Sequence, residues 1–128
     1  MKIQLLSDLH LETHPQFMPQ AAHADVLVLA GDIGSYQVGS QLTDGDFGLA
    51  RFSPRTGWPT PVVFVPGNHE YDGMDFDATH ARLRATCERL GIRWPTFPKT
   101  FPRHSPKAEN LSPNQKNSSL KLSRDPLA

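Results

Sequence analysis

The chain contains a single cysteine and no long apolar segment, and both absences exclude classes of protein. One cysteine permits no disulfide framework within the chain. The amino terminus lacks the extended apolar core of a secretory signal or a membrane span, which predicts a cytoplasmic location and no membrane partner. The formal net charge is zero, so the chain as a whole has no strong electrostatic bias towards a charged partner.

The neutral total conceals an acidic body and a basic tail. Residues 1–94 contain seven Lys/Arg and eleven Asp/Glu, whereas residues 95–128 contain six and two. The tail also holds six prolines and no glycine, a composition typical of disorder. Its basic residues are scattered and no aromatic platform accompanies them, so no nucleic-acid site is predicted. We therefore expect a folded domain over residues 1–94 and a Pro-rich, disordered tail over residues 95–128.

Three short apolar runs predict buried strands at residues 3–6, 26–30 and 62–65. Continuous rather than alternating apolarity is typical of parallel strands that helices cover on both faces. The intervals between the runs are long enough for parallel crossovers. Glycines and prolines interrupt the second interval, which leaves room for at most a short helix near residues 47–52. The sequence therefore predicts an α/β fold.

Residues 76–90 form the clearest predicted helix. Asp72 and Asp75 offer capping oxygens at its start, and Gly91 is a natural residue just past its end. Cys87 lies on the apolar stripe, where a small buried thiol is commoner than a nucleophile. The stripe itself consists of Phe76, His80, Leu83, Cys87 and Leu90.

A polar block directly follows each predicted strand. The blocks are Asp8-Leu9-His10, Gly31-Asp32 and Gly67-Asn68-His69-Glu70. Ligands bind beyond the carboxyl ends of the strands in open α/β sheets, and each block lies at such an end. Carboxylate oxygens and imidazole nitrogens together are donors for divalent metals. A metal-assisted hydrolase is therefore the first hypothesis.

The residue types indicate how such a site would work. Asp8 and His10 alternate across one residue, so in an extended segment both point to one side and can share a cation. Asp32 can bridge two metals, Asn68 can add an amide oxygen to the second, and His69 would lie near the substrate. Two cations about 3.5–4 Å apart can activate water and clamp the oxygens of an in-line phosphoryl displacement.

Each block also has an explanation without a metal. An Asp at a strand end often caps a turn, and a nearby His is frequently a surface residue. Gly67-Asn68 suits a tight turn that needs positive φ. Turn chemistry alone does not account for three such blocks in this order after three strand patterns, and the conjunction favours the metal site.

The motifs Asp-x-His, Gly-Asp and Gly-Asn-His-Glu resemble the opening motifs of the calcineurin-like metallophosphoesterases, over residues 1–94. The resemblance implies the first βαβαβα portion of a four-layer α/β sandwich. It also implies two divalent ions, such as Mn, Fe or Zn, and hydrolysis of phosphomonoesters or phosphodiesters. By motif, Asp8 and His10 would bind the first metal, Asp32 would bridge, and Asn68 would bind the second.

The same resemblance assigns two further roles. His69 would be the catalytic histidine, which stabilises the phosphoryl transition state and can protonate the leaving group. Glu70 would lie behind the metal ligands and orient His69 or its loop. No Asp-Arg-Gly follows Gly31-Asp32, which disfavours the phosphoprotein-phosphatase branch and a protein substrate.

The family's later histidine motifs, including Gly-His-x-His, do not occur in the sequence. Together with the change of composition after Trp94, this predicts a truncated domain. A frameshift or an early stop near Trp94 would explain the truncation, and this explanation requires that another reading frame beyond codon 94 encodes a strand pattern followed by Gly-His-x-His. Half a sandwich leaves a sheet edge uncovered, so self-association is expected. Two functions remain: a metal-dependent phosphoesterase that is impaired, or a non-catalytic interaction module with residual metal binding.

Overall fold

Three parallel strands form the sheet of this protein, seen in a computed structural model that describes residues 1–96. They are β1 (Ile3–Leu6), β2 (Val26–Ala30) and β3 (Val62–Val65), in the spatial order β1-β2-β3. The parallel register brings the carboxyl ends of all three to the same edge. The predicted α/β class and the predicted strands are confirmed. The disorder predicted for the tail falls, from residue 97 onward, outside the described residues.

The connections between the strands differ from the helical crossovers of a βαβαβα unit. Turns alone lead from β1 to β2, and a single 3-10 turn, Leu49–Phe52, lies between β2 and β3. Pro15 and Pro19 interrupt the first connection, and proline provides no backbone N–H for a helix interior. The guanidinium of Arg51 instead donates to the carbonyls of Pro15 and Phe17, at 3.1 and 2.6 Å. The short helix expected near residues 47–52 is confirmed as that 3-10 turn.

The sheet buries one face rather than two. Leu27, Leu29 and Phe64 are fully buried in the hydrophobic core. On the opposite face, Ile3 and Leu5 of β1 are 59% and 64% exposed. The expectation that both faces are covered is therefore wrong for residues 1–96, because no described element packs over that side of β1.

The helix α1 (Phe76–Leu90) covers the buried face through Leu83, Cys87 and Leu90. Asp75 accepts a hydrogen bond from the Ala78 amide at its start, and left-handed Gly91 ends it, as predicted. Burial raises the pKa of the Cys87 thiol to about 12, in keeping with a structural thiol. No helix among the described residues is long and apolar enough to cross a membrane.

Two details of this region differ from or extend the prediction. Phe76, which we expected on the buried stripe, is 58% exposed because it begins the helix beyond the sheet, where its ring stacks on Tyr71.

After α1 the chain returns beside β3, where Arg93 forms an isolated parallel bridge with Val63. The Phe64 amide donates to the Arg93 carbonyl at 3.0 Å. The connection β3-α1 is therefore a crossover of the predicted type.

Candidate metal centre

Hydrogen bonding between the first two polar blocks continues the pairing of β1 and β2 beyond the strands. The Asp8 amide donates to the Gly31 carbonyl at 3.0 Å, and the His10 amide donates to the Asp32 carbonyl at 3.1 Å. Backbone carbonyls and amides thus fix Asp8 and His10 beside Asp32. The parallel sheet alone would bring these blocks to one edge, but these bonds set their separation.

Close contact between two glycines brings the third block to the same place. A Cβ on Gly31 would lie 2.8 Å from the Gly67 Cα, and a Cβ on Gly67 would lie 2.3 Å from the Asp32 Oδ1. Neither position has room for a side chain. Positive φ does not explain the Gly67-Asn68 pair, because Asn68 is right-handed at φ −83° and Gly67 is not among the positive-φ glycines. The contact with Asp32 accounts for Gly67 instead.

The backbone is left-handed at Asp8, His10 and Asp32, whose φ angles are 54°, 49° and 55°. Among residues 1–96, Phe47 is the one further non-glycine residue with positive φ. The expectation that Asp8 and His10 lie in an extended segment is therefore wrong. Each left-handed residue costs about 1–2 kcal/mol, and such strain is concentrated at functional sites.

Three potential metal donors converge at this edge. Ligand atoms of His10, Asp32 and His69 all lie within 4.8 Å of one another, and the two imidazole rings are 5.1 Å apart. The Asp8 Oδ1 is 4.0 Å from the His10 Nε2, and the Asp8 side chain is 64% exposed. Exposed Asn68 begins the 3-10 turn that carries His69, and its side chain does not cap that turn. Imidazole and carboxylate donors at this separation fit a divalent transition-metal ion.

His69 is oriented by a carboxylate and by a backbone contact. Its Nδ1 is hydrogen-bonded to the Asp72 Oδ2, and its amide donates to the Asp32 Oδ1 at 3.0 Å. The hydrogen bond to Asp72 raises the pKa of His69, and the charges of Asp32, Asp72 and Glu12 add to the rise against a desolvation effect. Asp72 was predicted only as a capping residue, and its pairing with His69 was missed. The spacing of three residues within one helical turn is the signal that would have found it.

Glu70 joins two of the three blocks. It is 1% exposed; its Oε1 accepts from the Ile33 amide at 2.8 Å and its Oε2 from the Gly67 amide at 2.9 Å. Burial raises the pKa of the Glu70 carboxyl, although these amide donors oppose the rise. The Glu70 carboxylate therefore links the loop after β2 to the loop after β3.

Glu12 was missed by the sequence analysis. It is 1% exposed, and its Oε1 lies 2.9 Å from the His10 Nδ1. The sequence contains a signal for this contact, because Glu12 follows His10 at the same two-residue spacing that separates Asp8 from His10.

The fold and the site together define an α/β protein with a metal-binding cluster at the carboxyl ends of its strands. The family model described as calcineurin-like phosphoesterase matches residues 1–116. The chain therefore belongs to the calcineurin-like phosphoesterase family, as its motifs had predicted. Membership supports a phosphoesterase-type, metal-binding hydrolase at the level of the family. No curated protein and no solved structure matches the chain.

The contacts of Glu70 predict a stability effect. In Glu70→Gln, one amide N–H of the loops would face the side-chain NH2 and lose its acceptor, which costs about 1–3 kcal/mol for a buried group. We expect a lower free energy of unfolding in urea and a lower Tm by circular dichroism. Glu88→Gln, on the exposed side of α1, is the matched control and should melt like the wild type. An equal Tm for the wild type, Glu70→Gln and Glu88→Gln would contradict the role of Glu70 in holding the two loops together.

Proposed function

We propose that this chain carries the amino-terminal half of a dinuclear metallophosphoesterase site that hydrolyses phosphomonoesters or phosphodiesters. The convergence of His10, Asp32 and His69 within 4.8 Å at the strand ends is the observation that carries the proposal. Family membership supports the reaction class. The left-handed backbone at Asp8, His10 and Asp32 is in keeping with the proposal, because such strain is concentrated at functional sites.

The proposed ligands divide between two ions. Asp8 and His10 would hold the first, Asp32 would contribute to both, and Asn68 would hold the second. Bound divalent ions would supply a nucleophile from water at neutral pH and polarise the phosphoryl oxygens. Asp32 is suited to the bridge because the His69 amide already orients its Oδ1, which fixes the carboxylate without neutralising it.

His69 is the proposed catalytic residue. Asp72 engages its Nδ1, which leaves Nε2 to face a bound phosphoester and to give a proton to the leaving alcohol. The same atom could instead ligate a metal, since His69 belongs to the convergent cluster. The hydrogen bond to Asp72 raises the pKa of His69, which favours the protonated form that a proton donor requires.

A cleft beside Asp8 offers room for the alcohol part of a substrate. Its volume is about 620 Å³, which is in the range of small-molecule sites. Phe17, whose carbonyl accepts a hydrogen bond from Arg51, contributes an aromatic residue to the wall. Among residues 1–96, no Lys or Arg lines the cleft, so a small, uncharged alcohol group suits it better than a polyphosphate.

The alternative function is a non-catalytic interaction module with residual metal binding. The exposed apolar side chains of Ile3 and Leu5 support it, because β1 is an edge strand within the described residues. This surface also supports self-association of the chain through the sheet edge.

Catalysis is tested with an aryl phosphate and a bis-aryl phosphodiester on the 128-residue chain with and without Mn²⁺. Asp32→Asn keeps an oxygen for the His69 amide but removes the charge of the bridge. Because even partners behind a ligand cost about 10–100-fold, we expect Asp32→Asn to lower turnover by more than about 100-fold. The exposed control Asp77→Asn should match the wild type. Turnover that does not depend on Mn²⁺, or that Asp32→Asn retains, would overturn the proposed metal site. Absence of turnover with Mn²⁺ would favour the non-catalytic interaction module.

The two roles of His69 make different predictions for His69→Gln. If His69 is catalytic, kcat falls by about 10²–10⁴-fold while the Kd for Mn²⁺, from isothermal titration, stays close to that of the wild type. If His69 is a ligand, Mn²⁺ affinity falls with kcat. We expect the first result, and a parallel loss of affinity would refute the catalytic assignment.

Self-association is tested by sedimentation velocity over a range of concentrations. We expect wild-type chain to form a dimer or larger species and Leu5→Lys to be monomeric, because a charge on an edge strand opposes pairing. Val38→Lys replaces an apolar residue that is fully exposed and lies away from the sheet, and it should behave like the wild type. A monomeric wild type would rule out this surface as a self-association site.

A further inference from the structure

Glu12 is a buried carboxylate to which the proposed function assigns no role. Its side chain is 2% exposed, and its backbone is fixed because its carbonyl accepts from the Gln41 amide at 2.8 Å. It follows fully buried Leu11, which packs in the hydrophobic core. A charged side chain at such a position needs hydrogen-bond donors or an opposite charge beside it, because burying an ion without partners has a desolvation penalty on the order of several kcal/mol.

Among the described residues, only one of the two carboxylate oxygens of Glu12 has a partner. Oε1 lies 2.9 Å from the His10 Nδ1, whereas Oε2 is buried without a hydrogen-bond partner. Buried Glu70 shows the contrast, because amide donors engage both of its oxygens. A half-satisfied carboxylate is a poor stabilising contact, and an apolar residue of the same size would often stabilise the fold more. Stability therefore does not explain Glu12.

The contact with His10 does offer an explanation. We propose that Glu12 is the positioning residue of His10: its Oε1 accepts the Nδ1 proton, which fixes the ring and leaves the Nε2 lone pair free for a metal. The Nε2 faces Asp8 at 4.0 Å, and its ring lies against that of His69. An acceptor on the far nitrogen of a ligating histidine sets the tautomer and the orientation of the ring. The metal part of this inference rests on the proposed function.

The tautomer itself can be measured without any metal. In ¹⁵N-edited spectra of the metal-free, 128-residue chain at about pH 8, where an ordinary imidazole is neutral, His10 should carry its proton on Nδ1. An Nε2–H tautomer of His10 in the wild type would overturn the proposal, and this measurement needs no variant.

Two variants of similar size separate hydrogen bonding from packing. Glu12→Gln keeps an oxygen acceptor for Nδ1, whereas Glu12→Met fills the same space without one. We expect Glu12→Met to lose the fixed tautomer and to bind Mn²⁺ about 10–100-fold more weakly, and Glu12→Gln to keep both properties within a few-fold. Glu88→Gln serves as the exposed control. Thermal melts report folding, and a purely structural Glu12 would change the melts but neither the tautomer nor the affinity.

The possible results separate this inference from the proposed function. Equal Mn²⁺ affinity in the wild type and Glu12→Met would overturn the positioning role of Glu12. An equal loss of affinity in Glu12→Met and Glu12→Gln would also overturn it, because the charge of Glu12 rather than its hydrogen bond would then be decisive. If the wild type binds no Mn²⁺, the proposed function fails, while the tautomers in the wild type and Glu12→Gln still decide whether Glu12 positions His10.

Discussion

The buried carboxylate of Glu70 is the contact on which the candidate metal centre depends most. Ladder hydrogen bonds between β2 and β3 end at Ala30 and Val65, so they do not hold the loops beyond. Glu70 accepts from the amides of Ile33 and Gly67, one on each loop. These amides lie next to Asp32 and Asn68 in the chain, so one side chain sets the separation of two proposed ligands. The raised pKa of Glu70 shows that its burial opposes ionisation and that the amide donors only partly offset that cost.

Strain in the loops is compensated by the packing directly behind them. Asp8, His10 and Asp32 adopt left-handed conformations that cost about 1–2 kcal/mol each. The next residues, Leu11 and Ile33, are fully buried, and the Leu11 amide donates to the Ile33 carbonyl at 2.8 Å. The strained residues are thus held between a sheet and a buried anchor. Loops fixed in this way keep their donors in place before any ligand arrives, which is the arrangement that ligand binding needs.

The sequence predicted the elements well and the loop geometry poorly, for a physical reason. Strands and α1 follow from apolar runs and caps, such as Asp75 and Gly91, whose effects are local. Proximity of the metal motifs follows from parallel topology, which the pattern also indicated. The left-handed backbone at His10 could not be predicted, because it depends on hydrogen bonds to a loop more than twenty residues away. The carboxylate partners Glu12 and Asp72 were visible in the sequence, but only the folded chain turns them towards the histidines.

Two histidine–carboxylate pairs form the centre, and their burial distinguishes their chemistry. His10 and His69 each have Nδ1 engaged by a carboxylate, from Glu12 and Asp72 respectively. The side chain of Glu12 is 2% exposed, whereas that of Asp72 is 40% exposed. Water screens the exposed pair and can exchange protons with it, which suits a residue that takes up and releases a proton in each turnover. The buried carboxylate of Glu12 is sheltered from such exchange and holds the His10 ring in one orientation, which suits a ligand. Burial of the partner therefore supports different roles for two imidazoles whose rings lie 5.1 Å apart.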